Sequence, residues 1–129
     1  MMLRDPELFK AIQYYLDGLF YCDSDKLNMA FHKDASLFDA EKGDIFAEPC
    51  ALFINDIGEL EPTSPFNLGQ EPESELLLVD WLSGVSAVVK LRIRARKNVY
   101  LDHLCLVKGQ EGWKIVSKVW TLEHVVDEL

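Results

Sequence analysis

The 129 residues include 22 acidic and 13 basic side chains, giving a net charge of −9, and 49% of them are hydrophobic. That much apolar material suffices for one domain over residues 1–129 with its own core, while the negative charge disfavours nucleic acid and anionic membrane surfaces as partners. Cys22, Cys50 and Cys105 stand far apart with no CxxC pair, so neither a disulfide framework nor a zinc site is signalled. The first residues, Met1-Met2-Leu3-Arg4, lack the basic-then-apolar pattern of a secretion signal, and no apolar run approaches bilayer length. A cytoplasmic, soluble setting is the expectation, with no membrane partner.

Asp5, Pro6 and Glu7 read as an N-cap, a first-turn proline and an acid at the positive helix end, which predicts a helix from this point. Leu8, Ile12, Tyr15, Leu16 and Leu19 then form one apolar stripe. Cys22-Asp23-Ser24 breaks the stripe and caps a second, shorter helix through Leu27, Ala30 and Phe31, with His32 at its end. Ala35 to Ala40 and Ile45 to Ala47 read as a hairpin around Glu41-Lys42-Gly43-Asp44. Glu48-Pro49 opens a third helix whose apolar residues Ala51, Leu52, Phe53, Ile54 and Ile57 are so clustered that it is expected to be well buried.

From Glu61 to Pro72, three prolines and one glycine exclude regular structure. This loop is either a lid, with Phe66 and Leu68 folded back over a site, or a passive surface excursion. Strands are predicted at Glu75 to Leu82, Val85 to Arg96, Val99 to Val107 and Trp113 to Trp120. In the second, Val85, Ala87, Val89, Leu91, Ile93 and Ala95 alternate with a mostly charged set, so Lys90, Arg92, Arg94, Arg96 and Lys97 make a solvated outer face or, less simply, an anion patch. The third is apolar on both faces. A second apolar face needs a cover, either a second copy of the chain or the segment Thr121 to Leu129. Helices first and a strand meander last describe an α+β domain with helices on one face of an antiparallel sheet.

Asp102, His103 and Lys118 lie among apolar neighbours, and charged groups in such company are paired or functional. Taken in order, the phrases Tyr15-Leu16-Asp17-Gly18, Ala30-Phe31-His32-Lys33-Asp34-Ala35, Tyr100-Leu101-Asp102-His103-Leu104 and Gly112-Trp113-Lys114-Ile115-Val116-Ser117-Lys118-Val119 resemble the nuclear-transport-factor-2-like superfamily. Within it the likeness is to the SnoaL-like and lumazine-binding-like proteins and spans Pro6 to Trp120. The resemblance implies a cystatin-like cone, a curved antiparallel sheet wrapped on N-terminal helices, with a pocket at the open end and assembly as a homodimer. The superfamily holds ketosteroid isomerase, scytalone dehydratase, polyketide cyclases and limonene epoxide hydrolase beside non-enzymatic binders, so fold alone selects no function.

Under that resemblance the helix end after Phe31 and the inner face of the last strands point into the cone. His32 is then a candidate general acid or base, or else a histidine at a helix C-terminus. Asp102 pairs with Lys118 on the next strand or acts as a base, and both readings put it in the cone. Tyr14, Tyr15, Phe31, Tyr100, Leu104 and Trp120 are the candidate ligand-binding walls, Tyr15 being equally a core residue. By strict alternation Lys118 and Trp120 share a face with Lys114 and Val116, opposite Trp113, Ile115, Ser117 and Val119, and which face looks inward stays open. Trp113 reads as a core anchor. The trio of ketosteroid isomerase does not map onto the chain, and His103 should face away from Asp102, which weakens a dehydratase-like trio. No phosphate loop, metal-ligand spacing or nucleophile elbow is present, and no cofactor or metal is expected. Two functions follow: a binder of a small, mostly apolar ring-bearing molecule, or a cofactor-independent lyase or isomerase working by proton transfer.

Overall fold

The computed structural model describes residues 5–127. Helices α1 (Glu7–Tyr21) and α2 (Ser24–Ala30) come first, then strands β1 (Phe31–Asp39) and β2 (Phe46–Pro49) and helix α3 (Cys50–Glu59). Four long strands follow: β3 (Ser74–Ser83), β4 (Ser86–Ala95), β5 (Asn98–Gly109) and β6 (Gly112–Val125). They form a curved, unclosed six-stranded sheet in the order β2-β1-β6-β5-β4-β3. Every neighbouring pair is antiparallel except β1 and β6, which run parallel.

The stripe on α1 faces the sheet as its period requires: Leu8, Ala11, Ile12 and Tyr15 are buried. Leu8 and Ile12 contribute about 1.5–3 kcal/mol each by leaving water, and Ala11 less. Cys22 ends the helix in the left-handed region at φ 51°, and Asp23 caps α2 through Asp25 and Lys26. Asp5 lies one residue further out than expected, since Pro6 holds the cap position. Its carboxylate still accepts from the Glu7 N–H at 3.0 Å, and its other oxygen accepts from Lys108 Nζ at 2.7 Å and Trp113 Nε1 at 3.0 Å. The start of α1 is thereby tied to the β5–β6 turn, and Trp113 is the buried anchor its position suggested.

Three local expectations are corrected. Phe31 and His32 belong to β1, because the backbone turns extended at Phe31 (φ −98°, ψ 144°). Helix α3 starts after Pro49 and buries only Cys50 and Ile54 fully, with Leu52 58% exposed, so the apolar cluster covers a rim instead of filling a core. The segment after α3 contains one 3-10 turn, Glu61–Thr63, and is fastened down. Gln70 exchanges two hydrogen bonds with the Arg96 backbone at 2.7 and 2.9 Å, Arg96 Nε donates to the Thr63 carbonyl, and the Phe66 ring packs on Phe20 and Tyr21.

On β4 the alternation holds: Ala87, Val89, Leu91 and Ile93 are buried, and Arg92 on the other face is gripped by Glu123 (2.8 Å) and Glu75 (3.2 Å). Strand β6 breaks its own alternation. The register steps from Leu106↔Ile115 to Cys105↔Ser117, leaving Val116 as an extra residue. A bulge of this kind switches the side-chain phase. Trp113 and Ile115 point inward before it, and Lys118 and Trp120 point inward after it. The strict two-face partition expected for this strand is therefore wrong at Val116.

The outer face presents a row across all six strands, Ala47, Phe38, Val119, His103, Lys90 and Leu78, each a Cα partner of the next. Val119, Leu78 and Leu82 are exposed there. Thr121 to Val125 do not fold over this face, because β6 takes them into its pairing with β5.

Candidate functional site

Between the end of α1, helix α3 and the concave side of the sheet lies a cavity of about 140 Å³. Leu19, Phe53 and Ile57 line it from the helices, Ile93, Tyr100 and Trp120 from the strands, and Glu48, Arg96, Asp102 and Lys118 supply its polar groups. Each arrives there through a local rule. Tyr100 and Asp102 alternate inward along β5, the bulge turns Lys118 and Trp120 to the same side, and Phe53 and Ile57 stand one helical turn apart on α3. The Tyr100 ring packs edge-on against Trp120 at 5.7 Å, with its hydroxyl accepting from Asn98 Nδ2.

The deepest part is a charged cluster. Asp102 is 2% exposed and Lys118 6%. The Tyr15 hydroxyl donates to Asp102 Oδ2, and Lys118 Nζ lies 3.8 Å from that oxygen. Asp102 Oδ1 is buried and has no hydrogen-bond partner among the described residues. The Lys118 ammonium sits over the rings of Phe53 (4.6 Å) and Tyr15 (5.3 Å), an attraction that partly replaces lost water. Burial pushes the Lys118 ammonium below its ordinary pKa, opposed by the negative charges of Asp102 and Glu48. Burial also raises the Tyr15 phenol well above the usual value, and the neighbouring Asp102 charge adds to this. Glu48 is raised by burial and by Asp56, with Lys118 pulling the other way. Chemically the cluster holds one unpaired acceptor, one desolvated ammonium and one phenol that keeps its proton.

The residues singled out from the sequence divide into three groups. Asp102, Lys118, Tyr100 and Trp120 line the cavity, and Tyr15 reaches it through Asp102. Phe31 and Leu104 are buried core residues and Tyr14 is half-buried beside Lys26, so none of these three lines the cavity. His32 is not in the cone: it is exposed at the start of β1, where its Nδ1 accepts the Asp34 N–H at 3.1 Å. His103 faces outward, as the alternation required. Sequence reasoning missed Glu48, Phe53, Ile57 and Arg96. The spacing of Phe53 and Ile57 on one helix face was an available signal, whereas Glu48 comes inward only through its pairing with Leu37. Phe66 and Leu68, the proposed lid residues, do not line the cavity. Among the described residues no group of His, Cys, Asp or Glu is arranged to hold a metal ion.

With this geometry established, the family model described as "Putative lumazine-binding" matches residues 5–121, most of the chain. The chain belongs to this family. Among solved structures it is similar to an NTF2-like protein of unknown function from Shewanella baltica, with TM-score 0.78 and 20% identity over 92% of each chain. An NTF2-like protein of unknown function from Silicibacter pomeroyi gives TM-score 0.77 and 19% identity over 91% of this chain and 93% of that one. A ketosteroid isomerase-like protein from Erwinia carotovora atroseptica gives TM-score 0.62 and 15% identity over 94% and 99%. These likenesses establish the nuclear-transport-factor-2-like fold of this lumazine-binding-family chain. No curated protein matches it.

Proposed function

We propose that this lumazine-binding-family protein holds a small, mostly apolar, ring-bearing molecule in the cavity between α1, α3 and the concave sheet. The observation carrying this reading is the combination of apolar walls with a few convergent polar groups in a space of about 140 Å³. Membership of a family described by ligand binding supports it. The test is titration of the protein with single-ring compounds, followed through the methyl resonances of Ile57 and Ile93. Wild type should respond saturably and Ile57→Trp, which fills the cavity, should not. An unchanged response in the filled variant, shown folded by circular dichroism, removes the reading.

A second reading, cofactor-independent proton transfer by a lyase or isomerase, is favoured by the buried Asp102 carboxylate, which has one unpartnered oxygen and the Lys118 ammonium 3.8 Å from the other. In that chemistry the Asp102 carboxylate takes a proton from carbon next to a carbonyl, the C–H electron pair forms the enolate double bond, and the carbonyl π pair moves onto oxygen, where the Lys118 ammonium stabilises the charge. Where a second double bond is conjugated with that enolate, return of the proton from Asp102 to its far end completes the isomerisation, and return to the same carbon gives exchange alone. His32 has no part in it. Exchange of the α-protons of cyclohexanone in deuterated water, read by proton NMR, discriminates the two: acceleration by wild type and not by Asp102→Asn supports an enzyme, and no acceleration leaves a binding protein.

We also propose that a second copy of the chain covers the outer sheet face, since Thr121 to Val125, the first part of the competing cover Thr121 to Leu129, are consumed in β6. The three free thiols support a reducing, cytoplasmic setting, and among the described residues no helix is long and apolar enough to cross a membrane.

A further inference from the structure

We propose that Lys118 is a nucleophile, whose side-chain amine condenses with a small apolar aldehyde in the cavity between α1, α3 and the concave sheet to form a Schiff base. The inference rests on the ligand-binding reading above and adds to it a covalent step and a class of reactant. Its basis is the position of one nitrogen. Among the described residues, Asp102 Oδ1 is the side-chain polar atom that is both closed to water and without a hydrogen-bond partner. Lys118 Nζ also makes no hydrogen bond, since Asp102 Oδ2 is 3.8 Å away, so its lack of a partner goes with contact to open space. Lys118 lines the cavity, and its side chain is otherwise enclosed, with 8% of it exposed.

The surroundings suit an amine that attacks carbon. The ring centres of Phe53 and Tyr15 stand 4.6 and 5.3 Å from the nitrogen, and Leu19, Ile57 and Ile93 extend the apolar wall. A lysine in such a pocket is activated, because loss of water favours the neutral form that carries the lone pair. The ionisable groups around it are Asp102 on β5, Glu48 on β2, Arg96 in the β4–β5 turn and the phenols of Tyr15 and Tyr100. Burial is the larger effect and holds Lys118 below its ordinary pKa, with Asp102 and Glu48 opposing it.

In the step, the Nζ lone pair bonds to the aldehyde carbon and the C=O π pair moves onto oxygen, which takes up a proton. The C–O bond then breaks as the nitrogen lone pair forms C=N, and the oxygen departs as water. Overall, an ammonium and an aldehyde give a protonated imine and water, so the positive charge facing Asp102 Oδ2 is kept. Acylation would make the nitrogen a neutral amide, and addition of carbon dioxide would make it an anion. Either leaves Asp102 buried without its counter-charge, which is strongly unfavourable. An aldehyde, with hydrogen on one side of its carbonyl carbon, crowds the flanking rings of Phe53 and Tyr15 least. Its body is limited to about one ring, since the space is about 140 Å³ and roughly 150 Å³ holds one benzene.

The experiment treats the intact chain near neutral pH with benzaldehyde and sodium cyanoborohydride, which reduces the protonated imine to a stable benzylamine. Mass spectrometry of chymotryptic peptides then locates the benzyl groups. Lys118 should be labelled at least about tenfold faster than the exposed Lys10 and Lys97, because the cavity holds the aldehyde beside the amine. Ile57→Trp, which fills the cavity, should bring the Lys118 rate down to theirs or below while leaving theirs unchanged. The wild-type comparison decides alone if that variant does not fold. Labelling of Lys118 no faster than of Lys10, or an undiminished rate in the folded filled variant, overturns the nucleophile. Benzyl alcohol has the ring without the carbonyl and separates this outcome from the binding reading. If it moves the Ile57 and Ile93 resonances while Lys118 stays unlabelled by benzaldehyde, ligand binding stands and the nucleophile falls. If neither compound moves those resonances and Lys118 stays unlabelled, both fall.

Discussion

Asp102 is where stability and the proposed function draw on the same side chain. Its Oδ2 takes the Tyr15 hydroxyl and faces Lys118, whose charge is otherwise surrounded by rings. Removing one member of a buried pair leaves the other uncompensated, so Asp102→Ala should lower the unfolding free energy by about 3–5 kcal/mol in urea titration. The double variant Asp102→Leu/Lys118→Met should recover most of that loss, because an apolar pair of similar size has no charge to desolvate. If the double variant is as unstable as the single, charge pairing is not what holds this part of the core. The sequence already marked Asp102 and Lys118, since a carboxylate and an ammonium in apolar strands demand an explanation. It equally marked His32, wrongly for the cavity, because the end of α2 was misplaced by one residue and the strand that follows carries the imidazole outward.

Elements are held to one another at a few defined points. Asp5 joins the start of α1 to Lys108 and Trp113 at the β5–β6 turn, and those hydrogen bonds bring its carboxyl down to about 2 from 3.8. A folded value below the unfolded one means that the unfolded chain binds more protons in this window. The contribution is fully present above pH 3.8 and fades as pH falls toward 2. Asp5→Asn should therefore flatten the acid limb of a melting-temperature profile below pH 4, relative to wild type, and leave the slope near neutrality alone. A second point is Gly18, where α1 meets α2. A Cβ there would stand 2.5 Å from Leu27 Cδ2 and 3.2 Å from the Leu27 backbone nitrogen, and Leu27 is fully buried. Gly18→Ala would normally favour the helix by about 1 kcal/mol, yet overpacking of this kind costs about 1–3 kcal/mol. Net destabilisation by thermal melting is expected, and a more stable variant would show that the two helices part easily. Helix starts and stops of this sort were legible in the chain, because caps and apolar stripes act over a few residues. The bulge was not: Val116 is an apolar residue in an apolar strand, and only the pairing with β5 shows it as the extra one.

Among the described residues, the concave side of the sheet is covered by helices and the outer side is not. Val119 lies at the centre of the outer row, between Phe38 of β1 and His103 of β5. A two-fold partner placed there would bury it, since apolar sheet faces are covered in stable assemblies. Sedimentation equilibrium should give twice the chain mass for wild type and one chain mass for Val119→Asp, whose melting should then lose its dependence on protein concentration. A monomeric wild type at high concentration would reject the pairing.

Composition, periodicity and caps by themselves determined the α+β class, the order of helices and strands, the charged outer face of β4 and the anomalous pair Asp102 and Lys118. These features follow from interactions between residues close in the chain, or from the misfit of one residue among its neighbours. Tertiary structure alone decided the parallel pairing of β1 with β6, the inward turn of Lys118 and Trp120, the entry of Glu48 and Arg96 and the exclusion of His32. Each depends on strand register or on contacts such as Tyr15 with Asp102, 87 residues apart, and local pattern carries no information about which distant residues will meet.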